Sequence, residues 1–185
     1  MEKTTLENER KNKMKKELIN ILNNKGINDT NIYINQIKSA KEVNIVLYKD
    51  MYNKEGNNSY KVLSSAIGNI GVYIFYKEIS NKNFEFIYAG ECHTLHKKRD
   101  LSTRIEQHLT AGNKGGFPYK LDEKGLYSAD DIIESFYTDD IKIAYIILKD
   151  SNVRDVIFLE SFFISILRPK YNFVLKEVEE DNNKN

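Results

Sequence analysis

The chain has no tryptophan, two prolines and one cysteine in 185 residues. A lone cysteine, Cys92, excludes an internal disulfide framework and fits a reducing compartment. No apolar stretch approaches the roughly 18 residues that a membrane span needs, and residues 1–16 lack the apolar core of a signal peptide. A cytoplasmic protein without membrane contact is expected. An excess of charge of one sign is also missing, because 28 Lys and Arg face 27 Asp and Glu. A net charge of +1 gives no global basic signature, so any affinity for nucleic acid must come from local patches. Arginine is scarce, supplying five of the 28 basic residues. Lysine is the default cation here and cannot replace a bidentate guanidinium fork, so each arginine is a candidate for such a contact.

The 41% hydrophobic content is enough for one sizeable core. Residues 5–23 place Met14, Leu18, Ile21 and Leu22 at helical spacing before a stop at 23–26, which predicts an amphipathic helix. The apolar runs within 32–48 fit strand or helix equally. The polar stretch 50–59 reads as a loop and sets a boundary between an N-terminal helical appendage, residues 1–60, and a main domain, residues 68–174. The β-branched and aromatic runs 71–76 and 84–88 predict a hairpin. Asp100 or Ser102 caps a helix carrying Arg104 and His108 that stops near Gly112. Residues 112–128, with four glycines and Pro118, read as an irregular insertion. A third strand over 141–148 and an apolar helix over 153–167, stopped by Arg168-Pro169, complete the domain. Residues 175–185 form an acidic, frayed tail. The order predicts an α+β sandwich with a three-stranded mixed or antiparallel sheet flanked by helices.

All three histidines, His93, His96 and His108, fall within 16 residues that also hold Lys97, Lys98, Arg99 and Arg104. A zinc reading of Cys92, His93 and His96 lacks a second ligand pair. A cationic loop entering a helix N-terminus suits phosphate better, with an ordinary solvated charge run as the alternative. Arg104 and His108, four residues apart, are expected one turn apart on one helix face, able to act on one ligand or to serve as a surface pair. Glu160 has Val156, Phe163 and Ile164 as helical neighbours, so it leaves an apolar face and needs a metal, an arginine or a hydrogen-bond network. Tyr73 and Tyr88 each share a short strand motif with a glycine, Gly71-Val72-Tyr73 and Tyr88-Ala89-Gly90, and glycine at such positions marks close approach.

In this order the motifs resemble the GIY-YIG nuclease family over about 105 residues, from Gly68 to Phe173. Val72 and Ala89 stand where the two motifs have isoleucine, and Pro169-Lys170-Tyr171-Asn172 matches the closing Pro-x-Tyr-Asn. The connection between the Tyr motifs is longer than usual, and 112–128 is inserted. The resemblance implies a GIY-YIG-type sandwich and a prokaryotic or phage nuclease that hydrolyses phosphodiesters with one divalent cation, Mg²⁺ or alternatively Mn²⁺. It implies Tyr73, Tyr88, Arg104, His108, Glu160 and Asn172 as the catalytic set. Glu160 is the metal ligand, Arg104 the phosphate clamp and Tyr73 the general base. His108 and the 97–99 cluster supply charge or relay the proton, Tyr88 orients water or phosphate, and Asn172 hydrogen-bonds within the site. Lys97, Lys98, Arg99, Lys114 and Lys120 are the expected contacts to double-stranded DNA. A site-specific, type II restriction-like endonuclease is the leading expectation, and symmetry would pair a palindromic target with a homodimer. The alternatives are a structure-specific repair, recombination or mobile-element nuclease, and a nucleic-acid-binding module that does not cut.

Overall fold

The computed structural model describes residues 2–23, 35, 37–38, 40–51, 60–80, 83–93, 99–148 and 153–175. Helix α1 (Glu2–Asn23) leads to strand β1 (Glu42–Leu47), a single turn α2 (Tyr48–Met51) and a 3₁₀ segment (Tyr60–Ala66). The hairpin β2 (Gly71–Ser80) and β3 (Asn83–Cys92) follows, then α3 (Leu101–Glu106), α4 (Phe117–Glu123), α5 (Ala129–Thr138), β4 (Lys142–Ile147) and α6 (Val153–Leu167). A last helical stretch, α7, covers 170–175.

The α+β class is as expected, and the sheet is antiparallel throughout. It has four strands among the described residues, in the order β1-β4-β2-β3. The strand count is therefore corrected from three to four. The added edge strand, β1, comes from the segment read as an N-terminal appendage, and pairs Glu42 to Leu47 with Ile147 to Lys142. Its apolar run was ambiguous alone because strand and buried helix look alike over so few residues. Of the runs in 32–48, Ile32-Tyr33-Ile34 lies outside the described residues, as do His96, Lys97, Lys98 and the tail from 176 onward.

Both faces of the sheet are covered. One face buries Val43, Val72, Ile74, Ala89 and Ile146 under α1, through Leu18, Ile21 and Leu22, and under α6, through Val156, Leu159, Phe162 and Phe163. The other buries Tyr73, Phe75, Ile143 and Tyr145 under α3, α4 and α5, through Leu101, Ile105, Phe117, Leu121, Ile132 and Phe136. Central burial explains why 71–76 reads as an unbroken apolar run instead of an alternating one. Helix α5 went unassigned in the sequence, although Ser128 accepts from the Asp131 N–H as its N-cap and Asp130 and Asp131 occupy its first turn.

One irregularity decides what faces the site. Phe75 pairs with Tyr88, but the next residue, Tyr76, pairs with Phe86, so Ile87 is an extra residue bulged out of β3. Strict alternation from Phe86, which packs under α1 and α6, would send Tyr88 to that same face. The bulge reverses the phase. Ile87 and Tyr88 both pack on the α3–α5 face, with Tyr73.

Candidate active site

Tyr73 and Gly90 are direct partners across the β2–β3 ladder. The tyrosine ring lies over the space a side chain at 90 would fill: a Cβ there would fall 2.4 Å from the Tyr73 Oη and 2.6 Å from Cζ. The first motif's glycine has a parallel reason, since a Cβ on Gly71 would fall 2.0 Å from the Ile146 carbonyl oxygen on β4. Gly90 thus sets where the phenol sits. Gly90→Ala is expected to displace Tyr73 and to cost about 1–3 kcal/mol through overpacking. Paired thermal melts of the wild type and the variant check it. An unchanged melt would mean that the ring moves freely.

Asp100 caps α3, accepting from the Thr103 N–H at 2.9 Å, and its other oxygen accepts from the Gly68 N–H at 2.8 Å. This ties the helix to the start of β2. Helix α3 ends at Glu106, which corrects the expected helical pairing of Arg104 with His108. Past that point the chain tightens: the His108 N–H bonds the Ile105 carbonyl at 3.0 Å, and Leu109 bonds Glu106. His108 consequently turns into the sheet, fully buried, with Nε2 2.6 Å from the Tyr73 Oη. Its Nδ1 accepts from the Phe117 N–H at 3.0 Å.

Arg104 stays at the edge of the site. One terminal nitrogen donates to the Gln107 Oε1 at 2.6 Å, while the buried Nε has no partner among the described residues. A buried guanidinium N–H left without an acceptor is costly, and an anion is the kind of partner that would satisfy it.

Glu160 leaves α6 half-buried, on the opposite face of the sheet from Tyr73. Burial first, and then the charge of Glu91, push its carboxyl from the usual 4.5 up to about 7, against the opposing pull of Arg104 and His93. Charges on the two faces act on one another across the sheet: Glu160 raises the Tyr73 phenol and Arg104 lowers the Glu160 carboxyl. Glu91 was not singled out in the sequence. It follows Gly90 on β3, on the face opposite Tyr73, and both its oxygens lie within 2.8 Å of the His93 Nδ1. The available signal was a carboxylate directly after the second motif.

The remaining expected residues divide. Tyr88 stacks on Phe117 with centroids 4.4 Å apart and lies 6.4 Å from the Tyr73 ring. Asn172 spends its amide on the outer edge of β3, its Oδ1 accepting from the Ala89 N–H at 2.7 Å and its Nδ2 donating to the Ala89 carbonyl at 2.8 Å. This mimics one more strand and holds the second motif straight. Arg99, Lys114 and Lys120 are exposed. Lys120, on α4, is close enough to act with burial and Arg104 in holding His108 well below its ordinary pKa. His108 is therefore neutral at neutral pH and is not a source of positive charge. Burial, followed by Tyr88, raises the Tyr73 phenol well above its usual value, with Arg104 opposing. Lys170 sits over two rings, 5.1 Å from Tyr127 and 4.9 Å from Tyr171. The zinc alternative gains no support: Cys92 is buried in the core under α3–α5, and His93 is engaged by Glu91. Among the described residues no three or more His, Cys, Asp or Glu cluster as a ready-made metal cage.

No helix among the described residues is long and apolar enough to cross a membrane. No family model matches the chain, and no solved structure matches it. Over 109 residues the chain is 32% identical to UvrABC system protein C of Pseudothermotoga lettingae. That alignment covers 59% of this chain and 15% of the other, so the chain corresponds to a small part of that protein's length.

Proposed function

We propose that the chain is a DNA endonuclease that hydrolyses phosphodiester bonds with a divalent cation, Mg²⁺ in the first instance. The reading rests above all on two groups of opposite character that act on each other electrostatically: the buried Nε of Arg104, without a partner among the described residues, and the half-buried carboxyl of Glu160, raised by burial and by Glu91. A phosphodiester answers the first and a cation the second. The donor set suits Mg²⁺, which keeps several waters and binds through one or two carboxylates plus substrate phosphate instead of a full protein cage. Glu160 would hold it, and when bound it supplies charge stabilisation at the leaving oxygen. Arg104 binds and orients the scissile phosphate. Tyr73, its oxygen held by His108, acts as the general base toward the attacking water, and Tyr88 orients water or phosphate. Arg99, Lys114 and Lys120, with Lys170, supply cations for the flanking phosphates.

Between the enzyme readings, the likeness to UvrABC system protein C supports a repair-type nuclease over the restriction-like one. The deciding experiment incubates the protein with a mixed-sequence plasmid and with branched and damaged duplexes, each with Mg²⁺, with Mn²⁺ and with a chelator. Metal-dependent cleavage confined to branched or damaged DNA is the expected result. Discrete plasmid fragments would return the assignment to a site-specific enzyme. DNA binding without cleavage in any metal would make it a binding module.

A further inference from the structure

The ring of His108 is engaged at both nitrogens, and the two partners differ in what they can offer. A backbone amide can only donate, so the Phe117 N–H 3.0 Å from Nδ1 requires a lone pair there. A neutral imidazole carries one N–H, which is then on Nε2, 2.6 Å from the Tyr73 Oη. In the other tautomer two N–H groups would confront each other at 3.0 Å in a fully buried site. We propose that His108 is a fixed hydrogen-bond donor to Tyr73, set in that state by the backbone of residues 113–117, and that it takes up no proton during the reaction. The catalytic half of this inference rests on the nuclease reading above, whereas the tautomer does not.

The loop is built to hold that one N–H. The Asn113 carbonyl accepts from the Gly116 N–H at 2.9 Å, and the Asn113 side chain accepts from the Gly115 N–H at 3.0 Å. Gly116 passes so close to the end of α3 that a Cβ would fall 2.0 Å from the Gln107 carbonyl oxygen. The Phe117 ring is stacked between Tyr88, at 4.4 Å and 19°, and Tyr171, at 5.4 Å and 29°. Phe117 is also the first residue of α4, so its N–H has no partner within the helix and is free for His108. The segment read from sequence as an insertion therefore completes the catalytic tyrosine's environment.

The chemical consequence is that a relay from Tyr73 to His108 is closed, because Nε2 has no lone pair to receive a proton. A proton lost by the attacking water therefore ends on the Tyr73 oxygen itself, so Tyr73 acts only as the phenolate, which burial disfavours and which Arg104 and the Nε2–H favour; its own proton leaves to solvent before the step. The water oxygen bonds to phosphorus, the P–O bond to the leaving group breaks, and the leaving oxygen takes a proton from solvent. Throughout, the Nε2–H stays on His108 and stabilises the phenolate.

Protein labelled with ¹⁵N at histidine, observed by long-range ¹H–¹⁵N correlation at neutral pH, tests the tautomer directly. We expect Nδ1 to be unprotonated and Nε2 protonated, with Gly116→Ala shifting the ring toward a mixed population. A protonated Nδ1 in the wild type would overturn the proposal whether or not the protein cuts DNA. Cleavage tests the second half. His108→Gln keeps an N–H donor toward Tyr73 but has no nitrogen that accepts a proton, and is expected to lose about tenfold. His108→Leu is expected to lose about 10²-fold or more, the scale of one lost donor. Equal losses in the two variants, both with native-like melts, would restore the relay.

Discussion

Glu160→Gln is expected to abolish Mg²⁺-dependent cleavage, a loss of at least about 10³-fold, and at the same time to make the protein more stable above neutral pH. Both effects come from the same cause. In the absence of a cation the carboxylate is held in a half-buried position near Glu91, and its folded-state pKa is raised from 4.5 to about 7. Below pH 4.5 the group is protonated both folded and unfolded, and stability owes nothing to the shift. As pH rises from 4.5 through 7, the unfolded chain releases the proton more readily than the folded one, and stability is lost progressively until the folded group has titrated. The full penalty lies above pH 7, at up to about 3 kcal/mol, and is reduced by the side chain's partial exposure. The amide escapes it. Chemical denaturation at pH 5 and pH 8 should show the variant near the wild type at the lower pH and roughly 1–2 kcal/mol more stable at the higher. Adding Mg²⁺ at pH 8 should raise the wild-type melting temperature and leave the variant unmoved, because only a group that holds the ion links binding to folding. A variant that cuts normally would remove Glu160 from the mechanism. A variant that is inactive yet indifferent to pH would separate the catalytic role from the electrostatic one.

Much of this site could be read from the chain because its features are local. A glycine two residues before Tyr73 and two after Tyr88 announces close packing in strands. Glu160 announces itself by interrupting an apolar stripe. What escaped was decided by tertiary structure. The helix carrying Arg104 showed no sequence break before Gly112, yet it ends at Glu106, and the tighter turn that follows sends His108 inward to Tyr73. The bulge at Ile87 has no signature in an apolar run where every residue suits a strand, although it brings Tyr88 to the correct face. Phe117 was read as part of an irregular loop because its glycine-rich setting conceals that Gly115 and Gly116 are there to press against Gln107. Asn172 was placed by resemblance within the site, and the structure gives its amide to the Ala89 backbone. Close approach is legible in sequence, but the partner approached is not.

Arg104 carries the second large expectation, and the informative substitution is the conservative one. Arg104→Lys keeps the charge and most of the stem, so a site that needed only positive potential would tolerate it. The geometry argues otherwise. The guanidinium divides its work, one terminal nitrogen fixed to Gln107 and the buried Nε left for an acceptor. An ammonium has no planar fork with which to do both. Arg104→Lys is therefore expected to lower kcat/KM by about 10²–10³-fold, close to the loss in Arg104→Ala. DNA binding to the flanking phosphates should weaken much less, since Lys114 and Lys120 lie outside this contact. A further consequence distinguishes a poised site from an ordinary ion pair. Arg104 lowers the Glu160 pKa, so its removal should push that carboxyl further up, which an NMR titration of labelled glutamate would detect. Arg104→Met should nevertheless recover some stability, by about 1 kcal/mol, because a buried donor without an acceptor disappears with it. Loss of function with a gain in stability at both Arg104 and Glu160 would mark them as groups whose partners come from outside the chain. Had either been a structural ion pair, its removal would destabilise the fold.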